Sequence, residues 1–150
     1  MDIGIVGLPR SGKTTIFNAV TGGTAPVGPY AGSQGKPNVG VAKVPDARLN
    51  RLEELFKPRR VVPAEVVYLD IPAAPDGSTG AHGMSGENLN HLQVTDALVV
   101  VLRAFDDPSV IHVDGTVDPL RDADSMLLEL AFADLGTVER RLARLEEGSK

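Results

Sequence analysis

Cysteine is absent from this 150-residue chain, which excludes disulfide bonds and thiolate metal sites. No apolar run approaches the roughly 20 residues of a membrane-spanning helix, so we expect no membrane segment. The apolar run at the start is short and is interrupted by glycine and proline, unlike a signal peptide. These absences predict a cytoplasmic protein.

The chain also lacks a basic excess. It has 15 Lys and Arg against 20 Asp and Glu, a net charge of −5, which argues against a general DNA-binding surface. Hydrophobic residues make up 42% of the chain, enough for one soluble domain with a real core.

The most informative stretch lies at the start. The apolar run Ile3 to Leu8 leads into Gly7-x-x-x-x-Gly12-Lys13-Thr14, which is followed by a helical pattern with Ile16, Phe17 and Val20. A strand, a glycine-rich loop and a helix in this order form the context of a phosphate-binding P-loop. The start of the helix suits an anion because its first N–H groups have no partner within the helix.

The P-loop predicts the binding of a nucleotide through its phosphates, with Mg²⁺ as cofactor. Lys13 is the candidate catalytic residue because its ammonium group can reach the β- and γ-phosphates. Thr14 is a candidate Mg²⁺ ligand. The candidate nucleotide-binding residues are Pro9, Arg10, Ser11, Gly12, Lys13, Thr14 and Thr15.

A second buried strand, Glu65 to Ile71, contains an acid near its end. A carboxylate at that place downstream of a P-loop is the Walker B position, which holds Mg²⁺ directly or through water. Asp70 is therefore the second candidate metal ligand. The alternative is a strand-end aspartate that caps the next turn.

Two glycine-rich stretches, 21–38 and 72–87, lie where nucleotide switches place their mobile segments. The alternative for the first stretch is a plain connector. His82 lies in the second stretch, and a lone histidine in a loop is more often exposed than catalytic.

The remaining pattern predicts further elements. These are a strand over 39–44, a helix from Pro45-Asp46 to Lys57-Pro58, a short helix over 88–95, a strand over 97–102 covered on both faces, and a small hairpin over 110–117 in which His112 is structural.

A long helix is expected from about Ala123 to Glu146. Leu128, Leu135 and Leu142 recur every seven residues, and Ala131, Val138 and Leu145 follow three places after each. This seam favours a coiled-coil arm over an amphipathic helix packed on the domain's own core, although Gly136 weakens the helix by about 1 kcal/mol. The expected division is residues 1–122 for the nucleotide domain and 123–150 for the start of the arm.

Several motifs together resemble the YchF branch of the Obg-related P-loop NTPases. They are Gly4-Ile-Val-Gly-Leu-Pro9, Pro37-Asn38 with Gly40, Pro45-Asp46 with Arg48-Leu49, Lys57-Pro58, Asp70-Ile71, Thr95-Asp96-Ala97, Val110-Ile-His-Val113, Glu129-Leu-Ala, and Ala133-Asp-Leu135 with Glu139-Arg140. The resemblance implies a Ras-like three-layer α/β sandwich interrupted by a helical hairpin, with only its N-terminal part present here. It also implies slow Mg²⁺-dependent hydrolysis of ATP or GTP and association with ribosomes.

The chain departs from the family pattern at three places. Arg10-Ser11 stands where Asn-Val is usual and brings a charge beside the phosphates, which it could stabilise or crowd. Gln34, with Ser33 beside it, stands at the Mg²⁺-binding threonine of the first switch. Ala73 replaces the glycine of the second switch. The first hypothesis is therefore a slow NTPase. The alternative is a degenerate, non-hydrolysing nucleotide-binding module that signals nucleotide state to a partner. A small-molecule kinase is weaker because no Arg-rich lid is visible.

Overall fold

The structure is a computed structural model that describes residues 1–28, 36–73 and 86–148. Its elements, in chain order, are β1 (Asp2–Val6), α1 (Lys13–Thr21), β2 (Asn38–Lys43), α2 (Ala47–Phe56), β3 (Glu65–Asp70), α3 (Gly86–Leu92), β4 (Ala97–Val100) and α4 (Pro119–Gly148).

The four strands form one sheet in the order β2-β3-β1-β4. β1 runs parallel to both β3 and β4, with Ile5 opposite Asp70 and Val6 opposite Val100. β2 is antiparallel to β3 and places Asn38 opposite Asp70. Because parallel strands end at the same edge of a sheet, the loop after β1, the end of β3 and the segment after β4 meet there.

Helices cover both faces of the sheet, which confirms the expected three-layer α/β sandwich. On one face, Phe17 of α1 lies so close to β2 that a Cβ added at Gly40 would be 2.9 Å from its Cζ atom. On the other face, Met126 of α4 joins the buried cluster of Val6, Leu8 and Ile71. Partly buried apolar residues surround that cluster: Leu69, Leu92, Val100 and Val113.

The strand over 97–102 is shorter than expected and is not covered on both faces. β4 spans Ala97–Val100, and its Leu98 and Val99 remain 37% and 39% exposed. The reason is its place at the end of the strand order, where one side of the strand has no neighbour among the described residues.

The prediction of a hairpin over 110–117 is wrong. The tight turn is present, with the Gly115 N–H donating to the His112 carbonyl over 3.1 Å and Gly115 at φ +77°. No strand flanks it in the described chain, and the His112 side chain turns inward to Asp122 of α4.

α4 begins at Pro119, four residues before the expected start at Ala123. Asp118 caps it, since its Oδ1 accepts hydrogen bonds from the N–H groups of Leu120 and Arg121 at 3.1 Å each. Proline suits the first position of a helix, which needs no hydrogen bond from that nitrogen. The seam leucines are exposed.

α2 is capped by Asp46, whose carboxylate accepts from the Arg48 N–H over 2.9 Å. None of its residues is buried, and Leu52, Leu55 and Phe56 are all exposed. The short helix α3 spans Gly86–Leu92, shifted toward the N-terminus from the expected 88–95. None of the helices in the described parts of the chain combines the length and apolar character needed to cross a membrane.

Candidate nucleotide-binding site

The glycine-rich loop connects the end of β1 to the start of α1 at the carboxyl edge of the sheet. Arg10 and Gly12 have positive φ angles of 62° and 98°, which turn the chain back on itself. Gly12 occupies the N-cap of α1 and no side chain caps the helix there. Ile16 donates to the Gly12 carbonyl over 3.0 Å. The N–H groups of the first turn therefore point out of the helix, as an anion site requires.

Gly7 is needed for a different reason. A Cβ added there would lie 2.3 Å from the carbonyl oxygen of Val101, well inside any possible contact. The neighbouring segment comes this close because Val101 donates its N–H to Val6 over 2.8 Å, which extends the pairing of β1 with β4 by one residue. The first glycine of the motif thus lets the loop leave the sheet beside its neighbour.

Lys13 is buried at the base of the loop. Its ammonium group donates to the carbonyl oxygens of Gly7 and Leu8, each at 2.9 Å. Burial lowers the pKa of Lys13 to about 8, and the Asp70 carboxylate partly opposes that shift. The lysine therefore braces the loop through two neutral acceptors, and a phosphate anion would be a stronger partner for it.

Thr14 and Asp70 lie together, 56 residues apart in the sequence. The Thr14 hydroxyl donates to Asp70 Oδ2 over 2.7 Å. The Asn38 side-chain amide donates to the same oxygen over 3.0 Å. The other oxygen, Oδ1, is buried and has no hydrogen-bond partner. The expected proximity of the two metal-ligand candidates is thus present in the structure.

These residues fit a hard divalent cation. Mg²⁺ prefers oxygen ligands and is held in P-loop proteins by the P-loop hydroxyl and a Walker B carboxylate. A buried carboxylate oxygen without a partner is costly, and a bound cation or its water would supply one. Thr14 and Asp70 would hold the ion.

Asn38 is a further residue of the site, and in the sequence it stands out only as part of the Pro37-Asn38 motif. Its role comes from register, since the antiparallel pairing of β2 sets it opposite Asp70. One signal in the sequence could have indicated this role. An asparagine at the first position of a strand that neighbours the Walker B strand has a side-chain amide that can donate to the aspartate. The pairing direction of β2 was not predictable from its own sequence.

The other candidates are distributed around the loop. Ser11 is buried, and its hydroxyl has no hydrogen-bond partner; Pro9 is half-buried and Thr15 is exposed. The guanidinium group of Arg10 donates to the Ile111 carbonyl over 2.9 Å. Ala73 is half-buried, three residues after Asp70. Ser33, Gln34 and His82 lie outside the described residues.

Arg103 and His112 are buried polar residues after β4. Arg103 donates to the carbonyl oxygens of Phe105 and Asp107 and stacks over the Phe105 ring at 4.7 Å. His112 Nε2 lies 2.9 Å from Asp122 Oδ2. His112 is therefore structural, as expected, though in a buried pair and not in a hairpin.

Comparisons with known proteins place these features in a family. A family model described as 50S ribosome-binding GTPase matches residues 2–133. The chain is 42% identical over 147 residues to the ribosome-binding ATPase YchF of Bacillus subtilis and 37% identical over 147 residues to that of Escherichia coli O157:H7. Each match covers 98% of this chain and 40% of the relative, so the chain spans about 40% of their length.

A solved structure agrees. The YchF GTPase of Schizosaccharomyces pombe superposes with a TM-score of 0.71 at 36% identity, covering 98% of this chain and 39% of that one. The motifs at the carboxyl edge of the sheet, the fold and the family match all agree. The chain therefore belongs to the 50S ribosome-binding GTPase family, in its YchF branch of P-loop NTPases.

Proposed function

We propose that the chain binds ATP or GTP with Mg²⁺ at its P-loop and hydrolyses the triphosphate slowly. The observation that carries the proposal is the pairing of Thr14 with Asp70, whose second carboxylate oxygen is buried and unpartnered beside the open N-terminus of α1. No other group of described residues combines an anion site with a cation site in this way.

The phosphates bind to the outward N–H groups at residues 10–15. Lys13 then exchanges its two carbonyl partners, Gly7 and Leu8, for phosphate oxygens. That exchange favours binding because a charged acceptor makes a stronger hydrogen bond with an ammonium group than a neutral one. Anionic phosphates also raise the pKa of Lys13 from its present value of about 8 and keep the lysine charged.

Thr14 and Asp70 would hold Mg²⁺, which would neutralise the charge that develops on the phosphate oxygens. Asn38 keeps Asp70 oriented, since its amide holds Oδ2 and leaves Oδ1 available. Lys13 stabilises charge on the transferring phosphoryl group. Turnover is slow because Asp70, the carboxylate at the site, is committed to these contacts and no general base stands near the loop among the described residues.

Ribosome association belongs to the proposal as well. The relatives that match this chain carry the name ribosome-binding ATPase. We further propose that residues 1–122 form the nucleotide-binding part, that residues from 123 onward begin an arm, and that Ser33, Gln34 and Ala73 belong to the two switches.

The alternative function is a nucleotide-binding module that does not hydrolyse. Ala73 favours it, since alanine stands three residues after Asp70 where glycine is usual and its φ range is narrower. Binding would then depend on the same Lys13, Thr14 and Asp70.

The test is calorimetric titration of ATP and GTP with Mg²⁺ against the full chain, Lys13→Ala and Lys43→Ala. Lys43 is an exposed lysine at the end of β2 and serves as the matched control. We expect Lys13→Ala to bind at least ~10-fold more weakly, because a charged hydrogen bond is worth about 1.5–3 kcal/mol, and Lys43→Ala to bind normally. Equal affinities in all three proteins would exclude a working P-loop.

Turnover then separates the two functions. A rate of phosphate release above that of the Lys13→Ala variant supports the NTPase. A rate equal to that of the variant, with binding intact, supports the non-hydrolysing module.

A further inference from the structure

The P-loop and α4 are joined by two polar contacts through the segment between β4 and α4. The first joins Arg10 to Ile111. The Arg10 guanidinium donates to the Ile111 carbonyl over 2.9 Å, across 101 residues of sequence. The backbone of Arg10 is left-handed, with φ 62°. A residue other than glycine rarely adopts this conformation unless the surrounding structure fixes it.

The second contact follows in the next residue. His112 is buried, and its Nδ1 accepts a hydrogen bond from the Asp114 N–H over 3.1 Å. That leaves Nε2 to donate to Asp122 Oδ2 over 2.9 Å, with Asp122 in the first turn of α4. We call the Arg10–Ile111 contact and the His112–Asp122 pair the tether.

The side chains of His112, Asp114 and Asp122 lie close enough to ligate a metal ion. The positive charge is already supplied by Arg121, whose Nη2 lies 2.8 Å from Asp122 Oδ1 and 3.7 Å from Asp114 Oδ2. Both ring nitrogens of His112 are also engaged. This cluster therefore stabilises the first turn of α4 and is not a metal site.

An apolar contact runs beside the tether. Met126, one turn beyond Asp122, is fully buried in the cluster that contains Leu8 of the P-loop and Ile71, the neighbour of Asp70. Lys13 holds the carbonyl of the same Leu8. The base of α4, residues 119–130, therefore shares its core with both halves of the candidate nucleotide site.

We propose that Arg10 is a positioning residue that couples occupancy of the phosphate site to the stability of the base of α4. The inference rests on the proposed nucleotide binding. Phosphates that fix the P-loop also fix Arg10, and Arg10 then holds Ile111 and, through the His112–Asp122 pair, the first turns of α4. Coupling between two sites is reciprocal, so disruption of the pair at α4 weakens nucleotide binding by the same factor.

The first experiment measures amide hydrogen exchange of the full chain with and without saturating ATP and Mg²⁺, repeated with GTP. The variants are Arg10→Asn, Arg10→Lys and the control Arg51→Ala, which removes an exposed ion pair with Glu54 on α2. Asparagine tolerates the left-handed backbone but cannot reach Ile111, whereas lysine keeps a donor and a charge. Saturation of each variant removes differences in affinity from the comparison.

We expect nucleotide to slow exchange over residues 119–130 about 5- to 10-fold in the wild-type chain and in Arg51→Ala. The slowing is lost in Arg10→Asn and partly kept in Arg10→Lys, which keeps a long side chain with a donor. Equal slowing in Arg10→Asn and the wild type overturns the proposal. Faster exchange on nucleotide binding also overturns it, since Arg10 would then leave Ile111 for the phosphates.

The second experiment disrupts the His112–Asp122 pair at α4 and measures nucleotide affinity. His112→Phe keeps a flat aromatic ring, somewhat larger than imidazole, and removes both hydrogen bonds, at a residue with no place in the nucleotide site. We expect the folded variant to bind ATP or GTP about 5-fold more weakly than the wild type, and unchanged affinity contradicts the coupling. If this variant does not fold, the exchange measurement on Arg10→Asn decides. A wild-type chain that binds neither nucleotide overturns the proposed function together with this inference, whereas binding without slowing over 119–130 overturns this inference alone.

Discussion

The two ends of α4 differ in what they bury. Its base buries Asp122, Met126 and Glu129, two acids and one apolar side chain. The distal half, from Leu135 onward, carries two of the three heptad leucines, Leu135 and Leu142, and exposes both, with Leu142 55% accessible. A regular apolar pattern thus marks a helix without indicating where it packs. The base of α4 is held by Met126 in the apolar cluster and by Asp122, which finds partners in His112 and Arg121.

The difference between the two ends of α4 is tested most directly by truncating one apolar residue at each end. We expect Met126→Ala to lower the free energy of unfolding by about 2–5 kcal/mol, because it leaves a cavity between α4 and the P-loop strand. The matched Leu142→Ala removes an exposed side chain and changes stability by about 0.5 kcal/mol or less. Urea denaturation measures both. Similar losses in the two variants would show that the distal half is packed in solution.

The second prediction uses pH. Below about pH 8 Lys13 is charged in both the folded and the unfolded chain, and its burial cost is fully present. Above about 10.5 it is neutral in both states. Between these values the unfolded chain binds more protons, so Lys13 makes stability rise with pH by up to about 3 kcal/mol.

The measurement is the difference in Tm between the wild type and Lys13→Met from pH 7.5 to 10.5. We expect Lys13→Met to be the more stable protein at pH 7.5 and the difference to shrink as pH rises. Parallel Tm curves would mean that Lys13 is solvated. Because the distal half of α4 has no contact with this lysine, its local stability, taken from exchange rates corrected for the intrinsic effect of pH, should follow no such trend.

The third prediction concerns the buried acid Asp122 in the base of α4, whose removal has a smaller effect on the free energy of unfolding. Asp122→Ala leaves the buried Nε2 of His112 without its acceptor, and a buried group without its partner costs about 1–3 kcal/mol. Arg121 keeps its hydrogen bonds to Thr116. Asp124, two residues on and exposed, is the matched control, with no loss expected in Asp124→Ala. Thermal unfolding measures both variants. A loss common to both would point to the charge of the helix start and not to the buried pair.

The smallest effect concerns the distal half alone. A Cβ added at Gly136 meets no atom within 4 Å, so alanine fits there without strain. We expect Gly136→Ala to stabilise the helix by roughly 0.5–1 kcal/mol and to slow local exchange beyond residue 132, with no change at the base. Slower exchange at the base as well would show that the two ends of α4 unfold together.

The elements with a strong local signal were predictable from the sequence. β1, α1, β3 and the Asp70 position follow from an apolar run, a glycine motif and an acid at a strand end. The heptad of α4 was equally visible, yet the expected start at Ala123 leaves out the first turn, where Asp118 is the cap and Pro119 the first helical residue.

What the sequence could not provide were partners far apart in the chain. Asn38 reaches Asp70 only through the antiparallel register of β2, and Arg10 meets a carbonyl at Ile111. The hairpin prediction failed for the same reason, since alternation over 110–117 is a local pattern while the His112–Asp122 pair is a tertiary contact. Local periodicity contains no information about which buried polar group lies across the core.

The two glycines of the P-loop motif also differ in how replaceable they are. Gly7 is fixed by the Val101 carbonyl 2.3 Å from where a side chain would begin, so any other residue must push the neighbouring chain aside. Gly12 has open space around it and needs only its positive φ, which asparagine also tolerates. In a homologue that no longer binds nucleotide, the glycine equivalent to Gly12 should therefore be replaced first. The glycine equivalent to Gly7 should be retained, because the packing of the sheet still requires it.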